Sequence, residues 1–207
     1  FDFSGKTVLV TGGAQGIGKE TVKGVVEGGG HAVILDINEE VGKATAVEVG
    51  NCSFYKIDLG SSENIRAVMA QVLVDFDRVD VLINVGGVIS KAPFEEISDA
   101  EWERTLRINL TGTFTTCSAI YPYFKEKKGG RIVNVSSVAG KIGGGLLGTA
   151  AYASSKAGVN GLTKAIAKEG GKYGISCNAV CPSFTMTSMT RTLAEDAEKS
   201  AKVIGMI

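Results

Sequence analysis

The feature that most constrains the fold of this chain is a regular alternation of apolar, strand-like runs with longer helix-like segments. Short runs rich in β-branched residues predict buried strands. We place these strands near residues 7–11, 32–36, 53–57, 80–84, 131–136 and 175–181. The helix-like segments between them lie near residues 17–28, 39–49, 62–76, 100–127 and 152–171. This alternation predicts an α/β fold in three layers, a doubly wound parallel sheet with helices on both faces.

Length and composition are those of one globular domain. The 207 residues suffice for a single core, and no low-complexity tract marks a domain boundary. The formal net charge is zero, which disfavours nucleic acid as a partner. No apolar run approaches the ~20 residues of a membrane-spanning helix, so we expect no membrane contact. The four cysteines are scattered, so we expect no metal site and a reduced, cytoplasmic protein.

A glycine-rich turn follows the first predicted strand. The segment Thr11-Gly12-Gly13-Ala14-Gln15-Gly16-Ile17-Gly18 leads directly into a predicted helix. Glycines at such a turn let the backbone approach a pyrophosphate, which the N-terminus of the helix attracts. The next strand ends at Asp36, where a dinucleotide fold places the acceptor for the adenosine ribose hydroxyls. The turn and the carboxylate together predict a dinucleotide site.

A second pattern, Tyr152-Ala153-Ser154-Ser155-Lys156, predicts acid–base chemistry. A tyrosine and a lysine four residues apart lie on the same face of a helix. An ammonium about 5 Å from a phenol, at an effective dielectric constant of about 20, favours the phenolate by roughly 3 kcal/mol. We therefore expect the tyrosine pKa to fall from about 10 to about 8. Such a phenol exchanges protons readily with an alcohol or a ketone.

Together these motifs resemble the classical short-chain dehydrogenase/reductase family over most of the chain, from about residue 5 to residue 187. The matching positions are the TGGAQGIG turn, Asp36, Asp58-Leu59, Asn84, Asn109, Ser137, Tyr152, Lys156, Pro182 and Thr187. The family has a single-domain Rossmann-like fold and transfers hydride between a nicotinamide cofactor and an alcohol or carbonyl compound. The resemblance implies an NAD(P)-dependent oxidoreductase acting on a small secondary alcohol or ketone, with one domain over residues 1–207.

The resemblance also implies four catalytic residues. Tyr152 would be the general acid/base, and Lys156 would lower its pKa and bind the nicotinamide ribose. Ser137 would hold the substrate oxygen, and its neighbour Ser136 is a weaker candidate for that role. Asn109 would kink its helix and support a water relay to Lys156.

The residues expected to bind the cofactor follow from the same resemblance. They are Gly12, Gln15, Gly16, Ile17, Gly18, Asp36, Ile37, Asp58, Leu59, Asn84, Gly86, Tyr152, Lys156, Pro182, Thr185 and Thr187. Residues 84–87 read Asn-Val-Gly-Gly, where the family usually has Asn-Asn-Ala-Gly. Asp36 would accept hydrogen bonds from the ribose hydroxyls of NAD and would repel a 2′-phosphate. We therefore expect NAD rather than NADP.

A polyol or sugar, a 3-oxoacyl thioester and a steroid alcohol are all compatible with the sequence as substrates. A glycine-rich loop at residues 141–149 is expected to form one wall of the substrate pocket, and the segment from residue 184 onward is expected to cover it. Small residues recur every four positions on the Tyr152 helix, which permits close helix packing. The family implies a homodimer or homotetramer, and its members run on past residue 207, so we expect the C-terminal end to be incomplete.

Two other functions fit part of the pattern. A non-catalytic dinucleotide-binding sensor or scaffold would keep the glycine turn but needs neither Tyr152 nor Lys156. A methyltransferase that uses S-adenosylmethionine shares a glycine-rich first turn and an acidic end of the second strand. It gives no reason for Ser137, Tyr152 and Lys156 to occur together, so the oxidoreductase is the preferred interpretation.

Overall fold

A computed structural model describes residues 1–144 and 149–187 of the chain. Within these ranges six parallel strands form one sheet in the order β3-β2-β1-β4-β5-β6. The strands are β1 (Thr7–Thr11), β2 (His31–Asp36), β3 (Cys52–Lys56), β4 (Val81–Asn84), β5 (Gly130–Val135) and β6 (Ile175–Val180). The strand order reverses between β1 and β4, and in sheets of this kind the ligand crevice lies at that reversal. The predicted Rossmann-like, doubly wound sheet is confirmed.

Helices connect the strands on both faces of the sheet. In the described ranges they are α1 (Gly16–Glu27), α2 (Glu39–Val49), α3 (Ser62–Asp75), α4 (Asp99–Leu106), α5 (Gly112–Glu126), α6 (Ala139–Ile142) and α7 (Ala150–Gly170). The prediction of a single helix over residues 100–127 was wrong in one respect. A π-helical stretch, Arg107–Thr111, separates α4 from α5 and contains buried Asn109.

The sheet is buried on both faces, as its apolar strands predict. Successive side chains of a strand point to opposite faces, so Val8 and Val10 belong to one core cluster and Leu9 to another. The first cluster packs residues of β1, β2 and β4 against α1, and includes Val22, Val25, Ala32, Ile34 and Val81. The second packs the other face against α3 and α5, and includes Val33, Leu35, Ile65, Met69, Leu82, Ile120, Phe124 and Ile132.

Two sequence expectations can be compared with the described ranges. None of the helices there is both long enough and apolar enough to cross a membrane. The four cysteines are free thiols. No group of three or more histidine, cysteine or acidic side chains within residues 1–144 and 149–187 is arranged to hold a metal ion.

Candidate active site

A cavity of about 490 Å³ opens where the carboxyl ends of the strands meet. Its wall is built from the loops that follow all six strands, together with residues of α4 and α7. With the exceptions of Asn84 and Asn109, all the residues expected from the sequence to form the site line this cavity. Segments far apart in the sequence are therefore brought to one place by the parallel topology.

The glycine turn owes its shape to three positions without a side chain. Gly12 has a φ of +65°, and a Cβ there would lie 2.6 Å from the Cα of Gly86. A Cβ at Gly18 would overlap the carbonyl oxygen of Gly12. Gly16, with a φ of +56°, lies against the side chain of Thr187, where a Cβ would be 3.4 Å from Cγ2. The turn is thus an open cradle at the N-terminus of α1, which suits a pyrophosphate.

Asp36 is fixed at the end of β2 by two backbone amides. Its Oδ2 accepts a hydrogen bond from the amide of Ala14 at 3.1 Å, and its Oδ1 accepts one from the amide of Asn38 at 3.0 Å. Each carboxylate oxygen can accept more than one hydrogen bond. The carboxylate is therefore oriented beside the glycine turn with capacity left for two ribose hydroxyls.

The departure at Val85 and Gly86 leaves the local hydrogen bonds intact. The amides of both residues donate to the hydroxyl oxygen of Thr11, at 3.1 and 3.3 Å, and also to its carbonyl oxygen. Because these bonds use backbone donors, the side chains at the two positions are not needed for them. The absence of a side chain at Gly86 instead makes room for Leu59, whose Cδ1 would lie 2.6 Å from a Cβ there.

Asn84 lies in a buried polar cluster and is not among the residues that line the cavity, so the cofactor contact expected from the sequence stays a prediction. Its Nδ2 donates to Oδ1 of Asn134 at 2.9 Å, and its Oδ1 accepts from the Thr116 hydroxyl at 2.9 Å. Asn134 in turn donates to the hydroxyl of Thr163. Because Asn84 shares a strand face with Leu82, its side chain lies on the side of the sheet that packs against α5, the helix that carries Thr116.

Ser137 and Ser136 have different environments. The Ser136 hydroxyl is buried and donates to the carbonyl oxygen of Lys156 at 2.9 Å. The Ser137 oxygen accepts a hydrogen bond from the amide of Ala139 at 3.1 Å and lies beside the phenol of Tyr152. Only Ser137 is therefore in a position to share a ligand oxygen with Tyr152.

The electrostatics of the Tyr152–Lys156 pair differ from the sequence expectation. Burial raises the pKa of Tyr152, and hydrogen bonding with Ser137 opposes that rise. Burial also lowers the pKa of Lys156 to about 8. The ammonium donates to the carbonyl oxygen of Val135 at 2.8 Å and lies 5.8 Å from the centre of the Tyr152 ring. The expected fall of the tyrosine pKa was wrong for this arrangement, because burial is the largest cause of the shift and the hydrogen bond with Ser137 does not offset it.

Asn109 holds two neighbouring segments together. Its Oδ1 accepts from the amide of Val88 at 2.8 Å, and its Nδ2 donates to the Val88 carbonyl at 2.8 Å and to the Ser155 hydroxyl at 3.0 Å. The side chain does not line the cavity. Its contacts join the loop after β4 to α7, the helix that carries Tyr152 and Lys156.

Comparison with known proteins agrees with this geometry. Residues 6–198 match the family described as short chain dehydrogenase. The chain belongs to the short-chain dehydrogenase family. It is an oxidoreductase that acts on an alcohol or ketone with NAD(P), as its named dehydrogenase and reductase relatives are.

The relatives of this short-chain dehydrogenase differ in substrate. The 3-oxoacyl-acyl-carrier-protein reductase FabG of Thermotoga maritima is 36% identical over 201 residues, which are 95% of this chain and 81% of the relative. The D-threitol dehydrogenase of Mycolicibacterium smegmatis is 36% identical, over 91% of this chain and 74% of the relative. The solved NADP complex of Pseudomonas aeruginosa RhlG is 29% identical with a TM-score of 0.89, over 96% of this chain and 80% of RhlG.

The structure adds cavity residues of this short-chain dehydrogenase that sequence reasoning did not single out as site residues. They are mainly apolar, and include Val88, Ile89, Ile108 and Val138, with Arg104 among them. Ile108 precedes Asn109 and Val138 follows Ser137, so adjacency to a motif residue was the available signal. Phe184, Ile142 and Gly144 line the cavity from the segments expected to wall the substrate. The expected cover beyond Thr187 and residues 145–148 lie outside the described ranges.

Proposed function

We propose that this enzyme interconverts a secondary alcohol and a ketone, with Tyr152 as the proton donor and acceptor. The observation that carries the proposal is the convergence of Tyr152, Ser137 and Lys156 on a cavity that the glycine turn also lines. When bound, the nicotinamide supplies or accepts the hydride. The chain's own task is to hold the substrate oxygen and to move one proton.

Tyr152 and Ser137 share that task. Their adjacent hydroxyls can both hydrogen-bond a single substrate oxygen, which would stabilise charge that develops on it. Because burial raises the pKa of Tyr152, the phenol stays protonated at neutral pH. The protonated phenol is the form that ketone reduction requires, because it can donate its proton to the substrate oxygen. Lys156, near Tyr152 on α7, would favour the phenolate when an alcohol is oxidised.

Asn109 acts in this proposal as a positioning residue. Its side-chain hydrogen bonds go to Val88 and Ser155, so it would act through the loop after β4 and through α7. Its Oδ1 and the Lys156 Nζ both lie near Gly87, where a Cβ would be 2.9 and 3.7 Å from them. This proximity supports the expected relay between Asn109 and the lysine.

We propose NAD as the preferred cofactor. The glycine cradle and the oriented Asp36 carboxylate fit an adenosine with two free ribose hydroxyls. A 2′-phosphate beside the same carboxylate would meet like charge and lose an acceptor partner. NADP is bound in the related RhlG complex, so the choice has to be tested for this chain itself.

We also propose that the enzyme is a homo-oligomer. On α7 the small residues Ala157, Gly161 and Ala165 are exposed, and a Cβ at Gly161 would meet nothing within 4 Å. Ala153, at the start of the same row, is buried, so the exposed part of the row from Ala157 to Ala165 is the part that we propose for close helix packing with a second subunit. Analytical ultracentrifugation should show a dimer or tetramer, and a monomer at micromolar concentration would contradict the proposal.

The experiment that tests the proposed function is a comparison of two tyrosine variants. NADH oxidation is followed with a panel of ketones for the wild type, Tyr152→Phe and Tyr173→Phe. Loss of the acid/base should lower kcat by about 10²- to 10⁴-fold in Tyr152→Phe, while NADH affinity stays within about twofold of wild type because the ring remains. Tyr173 lies outside the cavity, against Lys125 and Lys172, so its variant should keep full activity. Equal activity in all three proteins would refute the role of Tyr152.

A further inference from the structure

The wall of the cavity beside Tyr152 and Ser137 carries hydrocarbon side chains from three separate loops. Ile89 comes from the loop after β4, Val138 and Ile142 from the segment after β5, and Phe184 from the segment after β6.

Three polar residues near these apolar side chains use their hydroxyls in contacts within the protein. Ser90 is buried next to Ile89, and its Oγ lies 3.4 Å from the hydroxyl oxygen of Thr149. The amide of Thr149 donates to the carbonyl of Ser90 at 3.0 Å, so hydrogen bonds between these two residues join the loop after β4 to the start of α7. Ser136 donates to the carbonyl of Lys156. Ser90 and Thr149 do not line the cavity. Ser136 does line it, but its hydroxyl already donates to the Lys156 carbonyl.

The remaining polar side chains of the cavity come from other places. Asp36 ends β2, Asp58 follows β3 and Arg104 lies on α4. The others are Gln15 in the glycine turn and Ser183, Thr185 and Thr187 on the segment after β6. On the segment after β6, the hydroxyl of Thr185 donates to the carbonyl of Ser183 at 3.4 Å. Within the described ranges, the substituents next to the reacting carbon would therefore face hydrocarbon on the sides formed by Ile89, Val138 and Ile142.

We infer that the substrate is a ketone or alcohol with hydrocarbon substituents, as in an acyl chain or a fused ring, rather than a polyhydroxylated sugar or polyol. The inference rests on the proposed function. Each methylene buried against this wall should raise affinity about fourfold. Each hydroxyl placed against it without a partner should lower affinity by roughly tenfold or more.

The test compares substrates matched in carbon number. NADH oxidation is measured with straight-chain methyl ketones of increasing length, a fused-ring ketone and a ketose with as many carbons as one of the methyl ketones. We expect kcat/KM to rise about threefold to fourfold per added methylene until the wall is covered, and the ketose to react at least about 100-fold more slowly than its matched ketone. A ketose that reacts as fast as its matched ketone, or faster, would overturn the inference and leave the proposed function standing. The ketone with the higher kcat/KM, long-chain or fused-ring, shows which type of hydrocarbon substituent the wall favours.

A near-isosteric variant tests whether this apolar wall causes the expected preference for longer ketones. Val138→Thr replaces one methyl by a hydroxyl and should lower the ratio of kcat/KM between the longest and the shortest ketone by about tenfold. Val74→Thr makes the same change at a valine that is 80% exposed on α3, and should leave that ratio unchanged. An unchanged ratio in Val138→Thr would contradict the assignment of this wall.

Binding measurements separate failure of the inference from failure of the proposed function. The same compounds are titrated calorimetrically into the protein saturated with NADH. If no compound is turned over but the long ketone binds and the ketose does not, the apolar wall stands and the proposed function fails. If nothing is turned over and neither compound binds, the inference is overturned as well.

Discussion

Replacing Lys156 with methionine should stabilise the protein at neutral pH, even though Lys156 belongs to the proposed catalytic set. The lysine is 5% exposed, and burial lowers its pKa from the usual 10.5 to about 8. That difference corresponds to a cost of roughly 3 kcal/mol in the free energy of unfolding whenever the lysine must be charged in the folded state. Methionine keeps most of the length and apolar volume of the side chain, and it gives up the hydrogen bond to Val135, worth about 1–2 kcal/mol. The net gain at pH 7 should therefore be about 1–2 kcal/mol.

The pH dependence gives a sharper result than the value at one pH. A lysine whose folded pKa is depressed releases its proton more easily when folded, so its full cost applies below the folded pKa and shrinks as the pH rises toward the unfolded pKa. Between pH 7 and pH 9.5 the wild type should gain about 2 kcal/mol relative to Lys156→Met. Urea denaturation of both proteins across this range measures the difference and cancels the contribution of other groups.

The control is the same substitution at Lys164, which is exposed on the same helix. Its difference from wild type should be independent of pH. A flat difference for Lys156→Met as well would show that burial does not depress the lysine pKa, and the reasoning about the charge balance of the site would be refuted.

The other predictions concern the cofactor and the buried polar cluster. Asp36→Ala should lower the ratio of kcat/KM for NAD to that for NADP by about 10- to 100-fold, since a charged acceptor for the ribose hydroxyls is lost; an unchanged ratio in steady-state kinetics would contradict the NAD preference. Asn84→Ala should cost roughly 2 kcal/mol of stability, because it removes the hydrogen bonds that Asn84 makes with Asn134 and Thr116, while the Kd for NADH changes less than about threefold. The matched variant Asn178→Ala, at an exposed position of β6, should do neither; a large loss of NADH affinity in Asn84→Ala with stability preserved would support a direct cofactor contact.

Much of the fold was predictable because its signals are local. Short apolar runs give the strands, and buried positions on both faces of β1 explain why those runs are continuous. The π-helical stretch between α4 and α5 was not predictable in the same way. No proline marks residues 107–111, while Pro122 lies inside α5 without ending it. The stretch coincides with Asn109, whose partners Val88 and Ser155 are distant in sequence.

The features of the site likewise fall into two groups, those that depend on adjacent residues and those that depend on residues distant in the sequence. The glycine turn and Asp36 are recognisable from adjacent residues, and the structure places them on one cavity. The strand face of Asn84 follows from its parity with Leu82, but its partners Asn134 and Thr116 are distant in sequence. The rise of the Tyr152 pKa depends on burial in the folded protein, so spacing on one helix could not reveal it.

The most direct measurement of the central claim is the fate of the transferred hydrogen. The enzyme is incubated with a hydrocarbon ketone and NADH deuterated at the transferring carbon, and the product alcohol is analysed by mass spectrometry and NMR. We expect one deuterium on the carbinol carbon for the wild type and for Tyr173→Phe, and almost none for Tyr152→Phe in the same time. Formation of unlabelled alcohol, or equal labelling by Tyr152→Phe, would contradict direct transfer assisted by the Tyr152 proton.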